Sequence, residues 1–384
     1  MIGKSGFFFL LCLGLITSCQ TDRKEMGDQY AKVIDNIRQT YAPDKRVAIY
    51  DVTFADGVLK GETNLPDAKK SLLDSLHDFI KTDSLAVLKP SYGLVNVSVC
   101  NIRSLPKHSA ELSTQSLLGT ILRIYKKDAG WYLVQTPDDY LGWLDSGALQ
   151  LTDPEKLSRW ELAKKVVVTE SFDFIYAGRE GQVVTDVVAG DILEAGDEMD
   201  GFRQVKLPDG RSGIISADIV ISYDKFITLK EPLLNNILQT AHEMMGRPYL
   251  WGGTSGKAMD CSGFTKTVYY LNALELPRDA SQQVQVGMEV EIDSTLQNLE
   301  TGDLLFFGNK ATATQKERIT HVAMYLGDGK IIHASDRVQI ESLKRGDPDF
   351  TERRLKTLVR AKRMLDNIGE NGVKKLEEHP MYVF

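Results

Sequence analysis

Two stretches in the middle third of the chain repeat each other without a gap. GTILRIYKKDAGWYLVQTPDDYLGWLDSGAL, from Gly119 to Leu149, aligns with GDILEAGDEMDGFRQVKLPDGRSGIISADIV, from Gly190 to Val220, at a constant offset of 71 residues. Gly130 falls on Gly201, Trp131 on Phe202, Pro137 on Pro208, and Gly142 on Gly213. Self-similarity at a fixed offset marks a duplicated structural unit. Each copy alternates apolar and polar residues over short runs broken by Gly, Pro and Asp, the pattern of short strands closing into a small barrel. The repeat therefore commits this part of the chain to two small β domains, over 93–152 and 165–225.

The rest of the 384 residues is divided by composition and punctuation, and the length suggests two to four domains. Hydrophobic residues make up 42% and charged residues 26%, an ordinary globular mixture. The formal charge of -7 and the lack of a basic run argue against a nucleic-acid partner. Residues 1–18 carry one charge, Lys4, ahead of the ten-residue apolar run FFFLLCLGLI, too short to span a bilayer and suited to a signal peptide. ITSC, ending at Cys19, resembles a bacterial lipobox. That resemblance implies a mature chain starting at a lipidated Cys19, held in the cell envelope, facing the periplasm or the cell surface, and touching membrane through its lipid alone. Loss of Lys4 moves the formal charge from -7 to -8. Residues 19–92 read as a small α/β segment: a polar helix near Lys24 to Thr40, a hairpin turning at Asp56-Gly57, and a second helix in LPDAKKSLLDSLHDFI.

The chemistry concentrates in residues 230–365, followed by a tail over 366–384. CSGFTKTVYYLNAL puts Phe264, Val268, Leu271 and Leu274 on one helical stripe, so Cys261 lies in the first turn. A thiol there meets unpaired N–H groups and the positive end of the helix dipole, which favour its anion. Cys100, in the alternating run VNVSVCNIR, reads as a buried strand residue, and Cys261 as a free thiol. The base has two candidates, His321 in ITHVAMYLG and His333 in KIIHAS, which form a hairpin. A two-residue loop at Asp328-Gly329 would put the histidines on opposite faces. A three-residue loop over 327–329, with Gly329 in the left-handed position, pairs His321 with Ser335 and makes the histidines diagonal neighbours, about 7–8 Å apart at the backbone. The second register brings together a nucleophile, Cys261, a base, His321, and an orienting group, His333. A zinc site would use similar residues, but no CxxC or HExxH spacing is present and one Cys with two His is incomplete.

YLWGGTSGKAMDCSGF, TGDLLFFG and THVAMYLGDGKIIHAS together resemble the NlpC/p60 family of cell-wall cysteine peptidases, over roughly Leu233 to Arg363, and the duplicated units resemble bacterial SH3-like domains. The combination is similar to the γ-D-glutamyl-L-diamino acid endopeptidases. The resemblance implies an α+β chain with a papain-like catalytic domain behind two SH3-like barrels, no metal and no cofactor. It further implies cleavage of the γ-D-glutamyl-diamino acid amide in peptidoglycan stem peptides with a free N-terminal L-alanine. Carried onto this sequence, the substrate-binding residues are Tyr249, Trp251, Asp260, Ser262 and Asp279, with Glu111 and Tyr140 from the first SH3-like domain. Two other readings stay open: a wall-binding lipoprotein whose catalytic fold is retired, and a papain-like amidase acting on another amide. The polar stretch NKATATQKERI, from Asn309 to Ile319, reads as an insertion on the rim before His321.

Overall fold

The computed structural model describes residues 27–231, 233–293 and 295–383. The leader over 1–18, with Lys4, and the lipidation candidate Cys19 lie outside them. Among the described residues no helix is long and apolar enough to cross a membrane.

The chain divides into two compact units at Pro90. In the first, a helix over 27–41 and the helix Pro66–Leu76 cover a three-stranded sheet. Tyr50–Ala55 and Val58–Thr63 form the antiparallel hairpin, turning at Asp56 and Gly57, and Thr82–Val87 joins Val58–Thr63 in parallel. A parallel neighbour needs a crossover connection, which the helix Pro66–Leu76 supplies. Leu59, Leu72, Leu76 and Leu85 fill its core.

The second unit begins with the duplicated barrels, each a seven-stranded sheet. The offset of 71 carries over strand by strand. Ile121–Asp128, Trp131–Gln135 and Leu141–Asp145 correspond to Ile192–Met199, Phe202–Lys206 and Ser212–Ser216. A single 3-10 turn follows in each, Ser146–Ala148 and Ala217–Ile219. Cys100 sits inside the first barrel beside Leu122, Val134 and Leu144, and burial pushes its thiol up to about 12.

The C-terminal part is built on a six-stranded antiparallel sheet in the order Met288–Val290, Leu358–Arg363, Leu304–Asn309, Arg318–Gly327, Lys330–Ala334, Val338–Ser342. Alternation along the strands gives it two apolar faces. Leu304, Phe306, Val322, Met324 and Ile332 pack with Phe264 and Val268 of the helix Cys261–Tyr270. Leu305, Phe307, Ala323 and Ile331 build a second core on the other face. The helix Leu233–Glu243 adds Ile237 and Ala241 to the first. A buried helix laid on a sheet in this way holds its first turn, and hence Cys261, in a fixed place.

Candidate active site

Cys261 opens the helix Cys261–Tyr270. Asp260 caps it, its Oδ1 accepting from the Gly263 N–H at 2.7 Å. The glycine two places after the cysteine is a packing requirement. A Cβ on Gly263 would lie 1.9 Å from the Gly253 carbonyl oxygen, so the helix start can sit against the preceding loop only without a side chain there. The second Asp260 oxygen accepts from the Gly252 N–H at 2.9 Å. Arg278, 1% exposed, grips the same carboxylate with both terminal nitrogens, at 2.6 and 3.1 Å, and donates to Ser262 Oγ at 3.0 Å. Asp260 is thus saturated as a helix cap and one half of a buried bidentate pair. A lone arginine in LPRDA carries no pattern, and nothing in the sequence singles out Arg278.

The thiol is not held as an anion. Burial, first, and the Asp260 carboxylate, second, push it up to about 11, against the N–H groups of Val322 and Ser262 and the charge of Arg278. This differs from the expectation drawn from the helix dipole, because desolvation of a cysteine only 8% exposed outweighs a partial charge. His321 is depressed well below the ordinary histidine range by burial, with the charges of Arg354, His333 and Arg353 adding to it. The resting pair is a neutral thiol and a neutral imidazole, and the Val322 N–H at the sulfur ties the thiol to the residue after the base.

The hairpin explains how the histidines meet. Met324 pairs with Ile332 and Tyr325 with Ile331, the register that puts His321 opposite Ser335. The expected register holds but the expected three-residue loop does not: the strands close through two residues, Asp328 and Gly329, both at positive φ, and a register shift between Tyr325 and Gly327 takes up the extra residue and keeps the histidines on one face. His321 Nε2 lies 2.7 Å from His333 Nδ1 with the rings at 84°. His333 is fully buried, and its Nε2 is 3.2 Å from Glu341 Oε2 on the neighbouring strand.

The first barrel reaches into the same region. Trp251, 62% exposed, donates from its indole Nε1 to Glu111 Oε1 at 2.6 Å, and Tyr140 donates from its hydroxyl to Asp279 Oδ2 at 3.0 Å. Asp279 caps the short helix Ala280–Gln283 and lies 3.8 Å from Arg278. A glycine is needed at Gly252 as well: its φ is +81°, and a Cβ would lie 2.2 Å from the Leu112 carbonyl oxygen of the barrel. Tyr249 stands beside Cys261, its phenol pushed up by burial and by the neighbouring thiol and carboxylate. A cleft beside His321 is lined by Tyr249, Phe307, Asn309, Arg353 and Arg354. Among the described residues no group of three or more His, Cys, Asp or Glu is arranged to hold a metal ion. A thiol, a proton acceptor aligned by a second imidazole, and the N–H groups of a helix start together suit acyl transfer through a thioester.

Known proteins resemble this chain over the same region. Residues 246–355, which include Cys261, His321 and His333, match the NlpC/P60 family, and residues 102–149 match the bacterial dipeptidyl-peptidase Sh3 domain. The chain is 30% identical over 253 residues to the γ-D-glutamyl-L-lysine dipeptidyl-peptidase of Bacillus cereus, covering 63% of this chain and 73% of the relative. It is 28% identical over 231 residues to the Bacillus subtilis protein of the same name, covering 58% and 72%. The crystal structure of a NlpC/P60 family protein from Bacillus cereus superposes with a TM-score of 0.59 at 26% identity, over 72% of this chain and all of that one. The matches span Cys261, both histidines and the first barrel, and the chain belongs to the NlpC/P60 family.

Proposed function

We propose that the chain hydrolyses the γ-D-glutamyl-diamino acid amide of peptidoglycan stem peptides whose N-terminal L-alanine is free. It is a cysteine peptidase. His321 Nδ1 takes the Cys261 proton as sulfur attacks the γ-carbonyl, and the oxyanion is met by N–H groups at the helix start, beside the Tyr249 hydroxyl. His321 then returns the proton to the leaving amine, the C–N bond breaks and a thioester remains. Water, deprotonated by His321, attacks the thioester carbonyl, the C–S bond breaks and the thiol recovers its proton. The relatives named γ-D-glutamyl-L-lysine dipeptidyl-peptidase support the bond assignment.

One observation carries the reading of the free amine: the balance of charge between Cys261 and the first barrel. Asp260 and Asp279 lie against one buried guanidinium, Arg278, and Glu111 of the first barrel meets Trp251 of the neighbouring loop. Asp260 is satisfied by Arg278, and the acids we assign to an ammonium group are Asp279, which Tyr140 also reaches, and Glu111, which Trp251 reaches. Breaking such a pair costs roughly 2–5 kcal/mol, about 30-fold to several thousand-fold in specificity. Product mass spectrometry on L-Ala-γ-D-Glu-diamino acid tests this. The free-amine peptide should yield the L-Ala-D-Glu dipeptide and the diamino acid, and its N-acetylated form should be nearly inert. Equal cleavage of both would reject the amine pocket and favour an enzyme that cuts intact wall.

Attachment to the envelope through a lipid on Cys19 is part of the same proposal and rests on ITSC and the apolar run before it. Radiolabelled palmitate should enter the wild-type chain and not Cys19→Ala; equal labelling would remove the anchor.

A further inference from the structure

We infer that Glu341 is a positioning residue of this site: its carboxylate fixes the tautomer of His333, and through it the tautomer of His321, so that the nitrogen of His321 turned away from His333, Nδ1, is always the bare one. The inference rests on Cys261 as nucleophile and His321 as base, and does not depend on which amide is cut.

Register places Glu341. His333 pairs with Gln339 and Ile331 pairs with Glu341, so these four side chains share one face and Glu341 is the diagonal neighbour of His333. His333 Nε2 and Glu341 Oε2 are both buried, and neither has an aligned hydrogen-bond partner. They lie 3.2 Å apart. A carboxylate only accepts, so His333 Nε2 must carry the proton for either atom to be satisfied. His333 Nδ1 is then a bare acceptor 2.7 Å from His321 Nε2, which must donate. That leaves His321 Nδ1 without a proton, ready to receive one from sulfur. Each tautomer follows from the one before, and the chain of assignments ends at an ionised carboxylate.

Other groups around the relay support the direction of this chain. Arg354, from the helix Glu352–Thr357, approaches the same Glu341 oxygen at 3.5 Å, donates to Ser335 Oγ at 3.2 Å and lies over the Phe307 ring. Gln339 donates to the other Glu341 oxygen at 3.3 Å. His333 and Arg354 both hold Glu341 below the usual carboxylate range, so it stays ionised. The charges facing His321 are those of Arg353 and Arg354. Those facing Cys261 are Asp260 and Arg278. Among these groups, Glu341 is the one that can accept the outer proton of His333.

Two measurements test the assignment. Nitrogen-15 NMR of the full chain labelled in histidine, at neutral pH, should show His333 protonated at Nε2 and bare at Nδ1, with His321 in the same tautomer. A proton on His333 Nδ1 would overturn the proposal without any variant having been made. In kinetics, Glu341→Gln should lower kcat roughly 10-fold to 100-fold with little change in KM, the scale seen when outer partners of metal-bound histidines are removed. It should also move the acid limb of the rate profile to lower pH, because the imidazolium loses a nearby negative charge. Glu341→Leu, which cannot accept a proton, should lose more. An acid limb that stays in place while the whole profile scales down would show a merely structural role and overturn the inference, as would wild-type kinetics in either variant. Failure of the wild-type enzyme on stem peptides would instead fault the proposed substrate, since the NMR reads the tautomers without turnover.

Discussion

At the level of single residues, the site depends on groups kept neutral by burial. His321 is depressed below 6.5 in the folded chain, while an unfolded histidine takes up a proton near that pH. Below it the unfolded state therefore binds more protons than the folded state. The contribution of His321 to stability is fully present above pH 6.5 and declines as pH falls toward the depressed folded value. His321→Gln should show a shallower loss of stability than wild type between pH 6.5 and roughly pH 5, read by urea unfolding at several pH values; parallel curves would mean that His321 is not held neutral. The two histidines should also separate kinetically. His321→Ala should approach the loss seen in Cys261→Ser, while His333→Asn, which can still accept from His321 Nε2, should keep measurable activity; the reverse order would exchange base and orienter. The meeting of these histidines is legible in the sequence because a glycine stands where the bulged turn needs one. The neutral thiol is not, because the dipole at a helix start can be read from spacing whereas the dryness around Cys261 depends on residues far away in the chain.

Among elements, the helix Cys261–Tyr270 and the loop before it act as one piece, joined by Asp260 and Arg278. Arg278 is fully buried against Asp260, so Arg278→Leu would leave a carboxylate buried without its counter-ion. That should cost about 3–5 kcal/mol, measured by denaturant unfolding, and lower kcat through the displaced cap. A loss under 1 kcal/mol would show that water reaches Asp260. The helix and its first-turn cysteine follow from the apolar stripe Phe264, Val268 and Leu271, and the strands of both barrels follow from the offset of 71. Arg278 and Glu341 do not follow from any periodicity. One is a single arginine whose partner lies 18 residues away; the other depends on the register of a third strand, which no turn signal near His333 specifies.

For the second unit as a whole, the first barrel is fastened to the catalytic part by buried and half-buried polar ties. Lys266 and Asp138 pair at 3.2 Å, and although burial opposes its ionisation, Lys266 and Thr136 hold the Asp138 carboxyl below the usual range. Gln115 and Thr254 exchange hydrogen bonds at 3.0 to 3.2 Å, and Lys257 bridges Ser98 of the first barrel to Asp186 of the second. These ties set where Glu111 and Tyr140 stand. Asp138→Ala should therefore reduce the preference for a free-amine peptide over its acetylated form by about tenfold, equivalent to roughly 1.4 kcal/mol of lost positioning, while slow cleavage of the acetylated peptide is little changed. An unaltered ratio would detach specificity from the docking of the barrel. The duplication is legible in the sequence, but the lysine and aspartate that dock the first copy are ordinary surface residues until the fold brings them together. The central claim, that Cys261 attacks the γ-carbonyl of a peptide held by its free amine, is tested most directly by an L-Ala-D-Glu dipeptide whose γ-carboxyl is replaced by a diazomethyl ketone. Intact-protein mass spectrometry followed by peptide mapping should find one adduct per chain, on Cys261 and not on Cys100, formed far more slowly when the reagent is N-acetylated. An adduct on Cys100, or equal rates with and without the acetyl group, would contradict it.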